Sequence, residues 1–178
     1  MIKRFLGSKD NLVSGVGIGA MSFTNFYGET NIEESHSILK EAIDLDINHI
    51  DTSNVYGMGQ SEEVIGSFLK NQGKQKSNFF KIATKASIQR DPITNKNTFN
   101  NNRKYLKNEL VKSLRRLGLQ NIDLFYIHRR DPTYQIEEVT ETLLSFVNEG
   151  LIKHFGFSEI APSSLRRAQK IGHVGAVQ

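Results

Sequence analysis

Apolar runs typical of buried strands alternate with stretches of helical periodicity along most of this chain. The strand candidates are residues 13–19, 48–51, 79–85, 123–128, 153–158 and 175–178. Such alternation predicts a parallel sheet whose strands are joined by helical crossovers. The sequence therefore predicts an α/β fold, either an open doubly wound sheet or a (β/α)8 barrel.

Local signals place several boundaries around this repeat. Leu106, Leu110, Leu114 and Leu117 share one helical face, and Gly118 follows them. A glycine there suits the left-handed conformation that ends many helices, and Pro162 suits the first turn of another helix. Residues 3–5 and 11–13 predict a short N-terminal β-hairpin, whereas residues 89–102 are polar and predict a loop.

The length and composition limit the classes to consider. A chain of 178 residues predicts a single domain, residues 1–178. It has no apolar run long enough to span a membrane and no apolar region behind its first basic residues, so we expect a cytoplasmic protein without a signal peptide. The absence of cysteine excludes disulfides, thiolate zinc sites and cysteine nucleophiles.

Charge and histidine content do not point to nucleic acid or metal. The five histidines show no metal-binding spacing, so we expect no metal site. The net charge of +4 comes from basic residues spread along the chain. Spread charge is typical of a solvated surface, so no nucleic-acid partner is expected.

The glycine-rich segment from Gly15 to Ala20 resembles a dinucleotide-binding fingerprint only superficially. That fingerprint needs the spacing G-x-G-x-x-G with a helix opening directly behind it. Here Gly19 stands one position early, and the following residues predict a loop. A glycine-rich strand that approaches a ligand through its backbone is the better interpretation.

Four polar residues at or just beyond three strand ends carry the strongest functional signal: Asp51, Tyr56, Lys85 and His128. Successive strands of a parallel barrel bring such residues together at one rim. Each also has an ordinary structural interpretation, as a turn cap, a rim aromatic, a lysine extending to solvent or a core histidine. Their joint occurrence favours a site.

These four side chains suit the reduction of a carbonyl group. Hydride addition to carbon leaves charge on oxygen, which needs a proton donor such as Tyr56. We expect the ammonium of Lys85 to lower the tyrosine pKa and Asp51 to keep Lys85 charged. His128 can donate a hydrogen bond that orients the substrate oxygen.

Longer motifs resemble the aldo-keto reductase family, in its bacterial and plant branch. They are D-T-S-N-V-Y-G-M-G-Q-S-E, A-T-K, D-L-F-Y-I-H-R-R-D and E-G-L-I-K-H-F-G-F-S-E, with G-I-G-A-M-S-F at the first strand end. The resemblance implies a (β/α)8 TIM-type barrel that reduces aldehydes or ketones with NADPH. It implies Tyr56 as general acid, Lys85 and Asp51 as its partners, and His128 as the carbonyl-orienting residue.

The resemblance also implies which residues contact the cofactor. Gly19, Met21, Ser158 and Gln178 match nicotinamide-side positions, and Asp51 lies beside them. Glu159 departs from the family pattern, in which many members carry Asn.

By the same resemblance Gln178 matches the end of the sixth barrel strand, so we expect an incomplete barrel of about six of the eight β/α units. Two functions remain open: an NADPH-dependent carbonyl reductase, or an inactive remnant or non-catalytic binding subunit of the same fold. The expected partner is a small carbonyl substrate. Unpaired strand edges also predict self-association.

Overall fold

The computed structural model describes residues 2–72, 78–91, 93–94 and 96–178. The strands are β1 (Lys3–Leu6), β2 (Ser8–Ser14), β3 (Ile18–Gly19), β4 (His49–Asp51), β5 (Lys81–Ala86), β6 (Ile88–Arg90), β7 (Asn97–Phe99), β8 (Ile122–Ile127), β9 (Ile152–Phe157) and β10 (Ala176–Val177). The α-helices are α1 (Ile32–Asp44), α2 (Gln60–Asn71), α3 (Arg103–Leu117), α4 (Ile136–Asn148) and α5 (Pro162–Ile171). Short 3₁₀ segments cover Ala20–Phe23 and Tyr56–Gly59.

A six-stranded parallel sheet in the order β10-β9-β8-β5-β4-β3 forms the centre of the described structure. Its order follows the chain without the reversal that defines a doubly wound sheet. Consecutive strands pair side by side, as they do in a (β/α)8 barrel. The prediction of an incomplete barrel with an N-terminal hairpin, β1–β2, is therefore confirmed.

Side chains of the sheet point alternately to two faces. The helix-facing side contributes to a large apolar core that includes Ile82, Phe125 and Ile127. On the other face, Ala83, Leu124 and Tyr126 form a small cluster with Leu6 and Ala176. Lys85 follows Ala83 by two residues in the same strand, so its side chain points to the barrel interior.

Helix ends follow the signals in the sequence. Asn31 opens α1 with a capping box, accepting from the backbone N–H of Glu34. Gly118 follows α3 in the left-handed conformation, with φ of +68°, and Pro162 is the first residue of α5.

Two elements differ from the sequence prediction. The first barrel strand covers Ile18–Gly19 rather than residues 13–19, because the backbone N–H of Ser14 donates to Asn48 Oδ1 at 2.7 Å and Ser14 ends the hairpin strand. The segment predicted as a polar loop contains the antiparallel ribbon β6–β7. Asp91 closes that ribbon by accepting from the backbone N–H groups of Ile93 and Thr94.

No helix in the described part of the chain is long and apolar enough to cross a membrane. Residues 2–72, 78–91, 93–94 and 96–178 also contain no cluster of three or more side chains able to hold a metal ion.

Candidate active site

The carboxyl ends of β4, β5 and β8 bring the predicted residues together. Asp51 ends β4, Lys85 lies one residue before the end of β5, and His128 directly follows β8. Tyr56 begins the turn after β4, where Gly57 has a φ of +59°. That turn directs the phenol back over the strand ends, so all four predicted residues meet at one rim.

Lys85 is the centre of the hydrogen-bond network. Its side chain is fully buried, and its Nζ donates to Asp51 Oδ1, to the Thr52 carbonyl at 2.9 Å and to Tyr56 Oη at 3.5 Å. Burial lowers the Lys85 pKa, whereas the Asp51 carboxylate raises it. A buried ammonium is tolerated where its donors are satisfied in this way, so Asp51 favours the charged lysine as expected.

The phenol of Tyr56 differs from the sequence expectation in one respect. Burial, followed by the repulsion of the Asp51 charge, raises the Tyr56 pKa to about 12. We expected Lys85 to lower this pKa, but the charge that lowers it in this structure is that of Arg129, and burial together with the Asp51 charge outweighs that effect. Tyr56 therefore keeps its proton at neutral pH and is available as a donor.

The His128 imidazole is neutral at neutral pH. It is 7% exposed, and its ring lies edge-to-face against Tyr56 with centroids 5.9 Å apart. Burial, then the charges of Lys85 and Arg129, lowers its pKa to about 3. A neutral histidine donates from one ring nitrogen only, so its tautomer determines whether it can donate to a substrate oxygen.

The predicted cofactor residues surround Asp51. Gly19 pairs with Asp51 in the sheet register, and a side chain added at Gly19 would meet open space. The Gln178 amide donates to Asp51 Oδ2 at 3.2 Å. The Ser158 hydroxyl is buried and follows β9, the strand beside β10. Met21 lies on the other side, in the wall of the rim cavity.

A cavity of about 610 Å³ opens at this rim. Its wall includes Met21, Phe26, Tyr56, His128 and Arg129. A groove of about 800 Å³ between α2 and α3 is larger, but none of the four predicted catalytic residues lines it. The rim cavity is the better candidate for a substrate site, because polar groups with shifted pKa values converge there.

Three residues of the site were not predicted as functional from the sequence. Ser53 Oγ lies 3.1 Å from His128 Nδ1. Arg129 donates to Ser158 Oγ at 3.1 Å and pairs with Glu159 at 2.8 Å. These side chains connect neighbouring strand ends. In the sequence they were visible only as polar residues adjoining the predicted ones. Glu159 has a φ of +55°, a conformation in which Asn is favoured, and this fits the Asn that the family pattern carries there.

The low pKa of His128 predicts a pH-dependent stability. The unfolded chain binds a proton here near pH 6.5, whereas the folded chain resists it down to about pH 3. Between those values the unfolded state holds more protons, so the free energy of unfolding should fall as the pH falls. Urea denaturation at a series of pH values measures this, and His128→Gln should reduce the slope.

The exposed His173 supplies the control, because His173→Gln also removes one histidine but leaves the rim unchanged, so the slope should fall further in His128→Gln than in His173→Gln. Equal slopes in the wild type and in His128→Gln would show that His128 is not held neutral by the fold.

Comparison with known proteins identifies relatives of this arrangement. The sequence model of the Aldo/keto reductase family matches residues 15–178. The "Aldo-keto reductase yakc [NADP(+)]" of Schizosaccharomyces pombe is 36% identical over 169 residues, which are 95% of this chain and 49% of the relative. "Probable aldo-keto reductase 1" of Glycine max is 34% identical over 174 residues, 97% of this chain and 49% of the relative.

Solved structures of similar proteins have the same fold. The "aldo-keto reductase AKR11C1 from Bacillus halodurans (holo form)" superposes with a TM-score of 0.86 at 29% identity, over 99% of this chain and 56% of that one. The "glycerol dehydrogenase AKR11B4 from Gluconobacter oxydans" gives 0.87 at 26% identity, over 99% and 54%. The chain spans about half the length of the curated relatives that it matches. Because the family match covers residues 15–178, this chain belongs to the aldo/keto reductase family.

Proposed function

We propose that this chain contributes the catalytic half of an NADPH-dependent oxidoreductase that reduces aldehydes or ketones to alcohols. One observation carries the proposal: the buried Lys85 ammonium contacts both the Asp51 carboxylate and the Tyr56 hydroxyl beside a neutral histidine. Family membership and the name of the Schizosaccharomyces pombe relative, which includes NADP(+), support it.

In this proposal each rim residue has one task. Tyr56 donates its proton to the oxygen that becomes the alcohol, which a general acid in the cavity wall can reach. His128 donates a hydrogen bond to the same oxygen and fixes its direction. Lys85, held by Asp51, supplies positive charge beside the phenolate that the proton transfer leaves.

The residues expected for the cofactor fit the nicotinamide end of NADPH, which supplies the hydride when bound. Gly19 has no atom within 4 Å of the place where a Cβ would stand, so a flat ring can approach the backbone there. Ser158 and Gln178 offer a hydroxyl and an amide for the carboxamide group. Met21 contributes apolar surface in the cavity wall.

The test uses this chain joined at Gln178 to the remaining C-terminal part of the Glycine max relative. Aldehyde-dependent oxidation of NADPH by the joined protein is the expected result. Binding of NADPH without turnover of any aldehyde or ketone would instead favour the non-catalytic alternative. One observation favours that alternative: Arg129 already donates a hydrogen bond to the Ser158 hydroxyl, which is expected to face the cofactor.

We further propose that the chain associates with a second copy of itself through its outer strands. β3 and β10 are the two outer strands of the described sheet, and Val177 in β10 is 53% exposed. Outer strands offer backbone groups for pairing with another chain, so we expect self-association at micromolar concentration. Light scattering should give a mass above the 20.1 kDa of one chain, and a 20.1 kDa particle with a cooperative melt would contradict the proposal.

A further inference from the structure

We propose that Ser53 is a positioning residue that sets the tautomer of His128: its hydroxyl donates to Nδ1, so the imidazole proton stays on Nε2. Ser53 is fully buried and lies two residues after Asp51. Its Oγ lies 3.1 Å from His128 Nδ1. The contribution of this tautomer to catalysis rests on the proposed carbonyl reduction, whereas the tautomer itself does not.

The single hydroxyl proton of Ser53 has three acceptors within reach. They are His128 Nδ1 at 3.1 Å, the Lys85 carbonyl at 3.3 Å and Asn54 Oδ1 at 3.5 Å. The Lys85 carbonyl already accepts from the backbone N–H of Asn54 at 3.1 Å. His128 Nδ1 has no second partner among the described residues. The proton is therefore better used on the ring nitrogen, because Nδ1 is the nearest of the three acceptors and the Lys85 carbonyl already has a backbone donor.

The opposite arrangement would change the chemistry of the site. If Nδ1 carried the proton and donated to Ser53, Nε2 would hold a lone pair and could only accept. A carbonyl oxygen is also an acceptor, so in this tautomer Nε2 of His128 could not donate a hydrogen bond to it. When Ser53 donates to Nδ1, the proton of the neutral ring lies on Nε2, and Nε2–H can donate to a substrate. His128 lines the rim cavity, where a substrate would bind. The direction of one hydrogen bond thus decides whether His128 can orient a substrate.

The surroundings of His128 keep its ring neutral, so one of the two neutral tautomers has to be selected. Burial, followed by the charges of Lys85 and Arg129, lowers the pKa of His128, so the ring does not act as a doubly protonated donor at neutral pH. A neutral ring populates two tautomers unless a neighbour selects one. Ser53 is the side chain that contacts the ring nitrogen in the described structure, and Asn54 beside it is held by Glu109 at 2.9 Å.

The experiment is NMR of the chain labelled with ¹⁵N-histidine at neutral pH, without cofactor or substrate. The wild type should show His128 as the Nε2–H tautomer, assigned by its loss in His128→Gln. Ser53→Ala should shift the tautomer ratio towards Nδ1–H by about fivefold, the change that one net hydrogen bond gives. It should also raise the His128 pKa, because the serine proton contacts only the neutral ring.

Ser61→Ala is the matched control. Ser61 is also a fully buried serine, but its hydroxyl contacts Thr52 and the Ala20 carbonyl rather than the imidazole. The His128 signals should therefore stay as in the wild type. An Nδ1–H tautomer in the wild type, or a His128 pKa that Ser53→Ala lowers or leaves unchanged, would overturn the inference. Failure of the joined protein to reduce any carbonyl, with the tautomer shift observed, counts against the proposed function alone.

Discussion

Tyr56→Phe should lower the kcat of the joined protein by about 10²-fold or more, the usual effect of losing a general acid. The substitution removes one oxygen and keeps the ring that lies edge-to-face against His128 at 5.9 Å. Packing at the rim should therefore change little, and binding of NADPH should be retained. Steady-state kinetics with a simple aldehyde, together with NADPH titration, separate these two effects.

Tyr105 provides the matched control for this experiment. Burial raises its pKa to about 12, as for Tyr56, but its hydroxyl donates to the Ile88 carbonyl at 3.2 Å. Tyr105→Phe should keep kcat within a few-fold of the wild type. Full activity of Tyr56→Phe would mean that another group, or solvent, protonates the substrate oxygen.

The rim residues were predictable because parallel strands deliver their carboxyl ends to the same edge of a sheet. Asp51, Lys85 and His128 each follow or end an apolar run, and that pattern is visible in the sequence. The direction of the Tyr56 pKa shift was not predictable, because it depends on how far burial and the Asp51 charge outweigh the Arg129 guanidinium, and hence on the distances between these groups. Distances of this kind are absent from a sequence.

The features that the sequence did not predict were missed because they depend on contacts without a distinctive sequence pattern. The ribbon β6–β7 lacks the apolar alternation that marks a half-buried strand, and its residues 97–99 are exposed. Backbone pairing and the Asp91 turn hold it instead. The short first strand likewise depends on a contact between distant segments, Ser14 with Asn48. Ser53 was missed because a serine between polar neighbours has no distinctive pattern.

The motif G-x-S-E at the start of α2 has a structural function that its sequence does not reveal. Glu62 is fully buried, accepts from Thr84 Oγ1 at 2.6 Å and pairs with Arg116 at 2.6 Å. It thereby joins α2 to β5 and to α3. Since Lys85 follows Thr84 directly in β5, this buried ion pair supports the strand that carries Lys85.

Glu62→Ala should therefore lower the free energy of unfolding by about 3–5 kcal/mol, the usual cost of removing one partner of a buried ion pair. The substitution leaves the Arg116 guanidinium without its carboxylate, and that side chain is only 19% exposed. The Thr84 hydroxyl loses its acceptor as well. Urea denaturation of the chain measures the change.

Glu63→Ala is the control one position along the same helix. Glu63 is exposed, so its loss should cost less than about 1 kcal/mol, as expected for a charge in the first turn of a helix. A double replacement, Glu62→Leu with Arg116→Leu, should cost less than the sum of the two single replacements, because it leaves no uncompensated charge. If Glu62→Ala is as stable as Glu63→Ala, the ion pair does not hold α2 against β5, and the position of Lys85 must depend on the strand pairing alone.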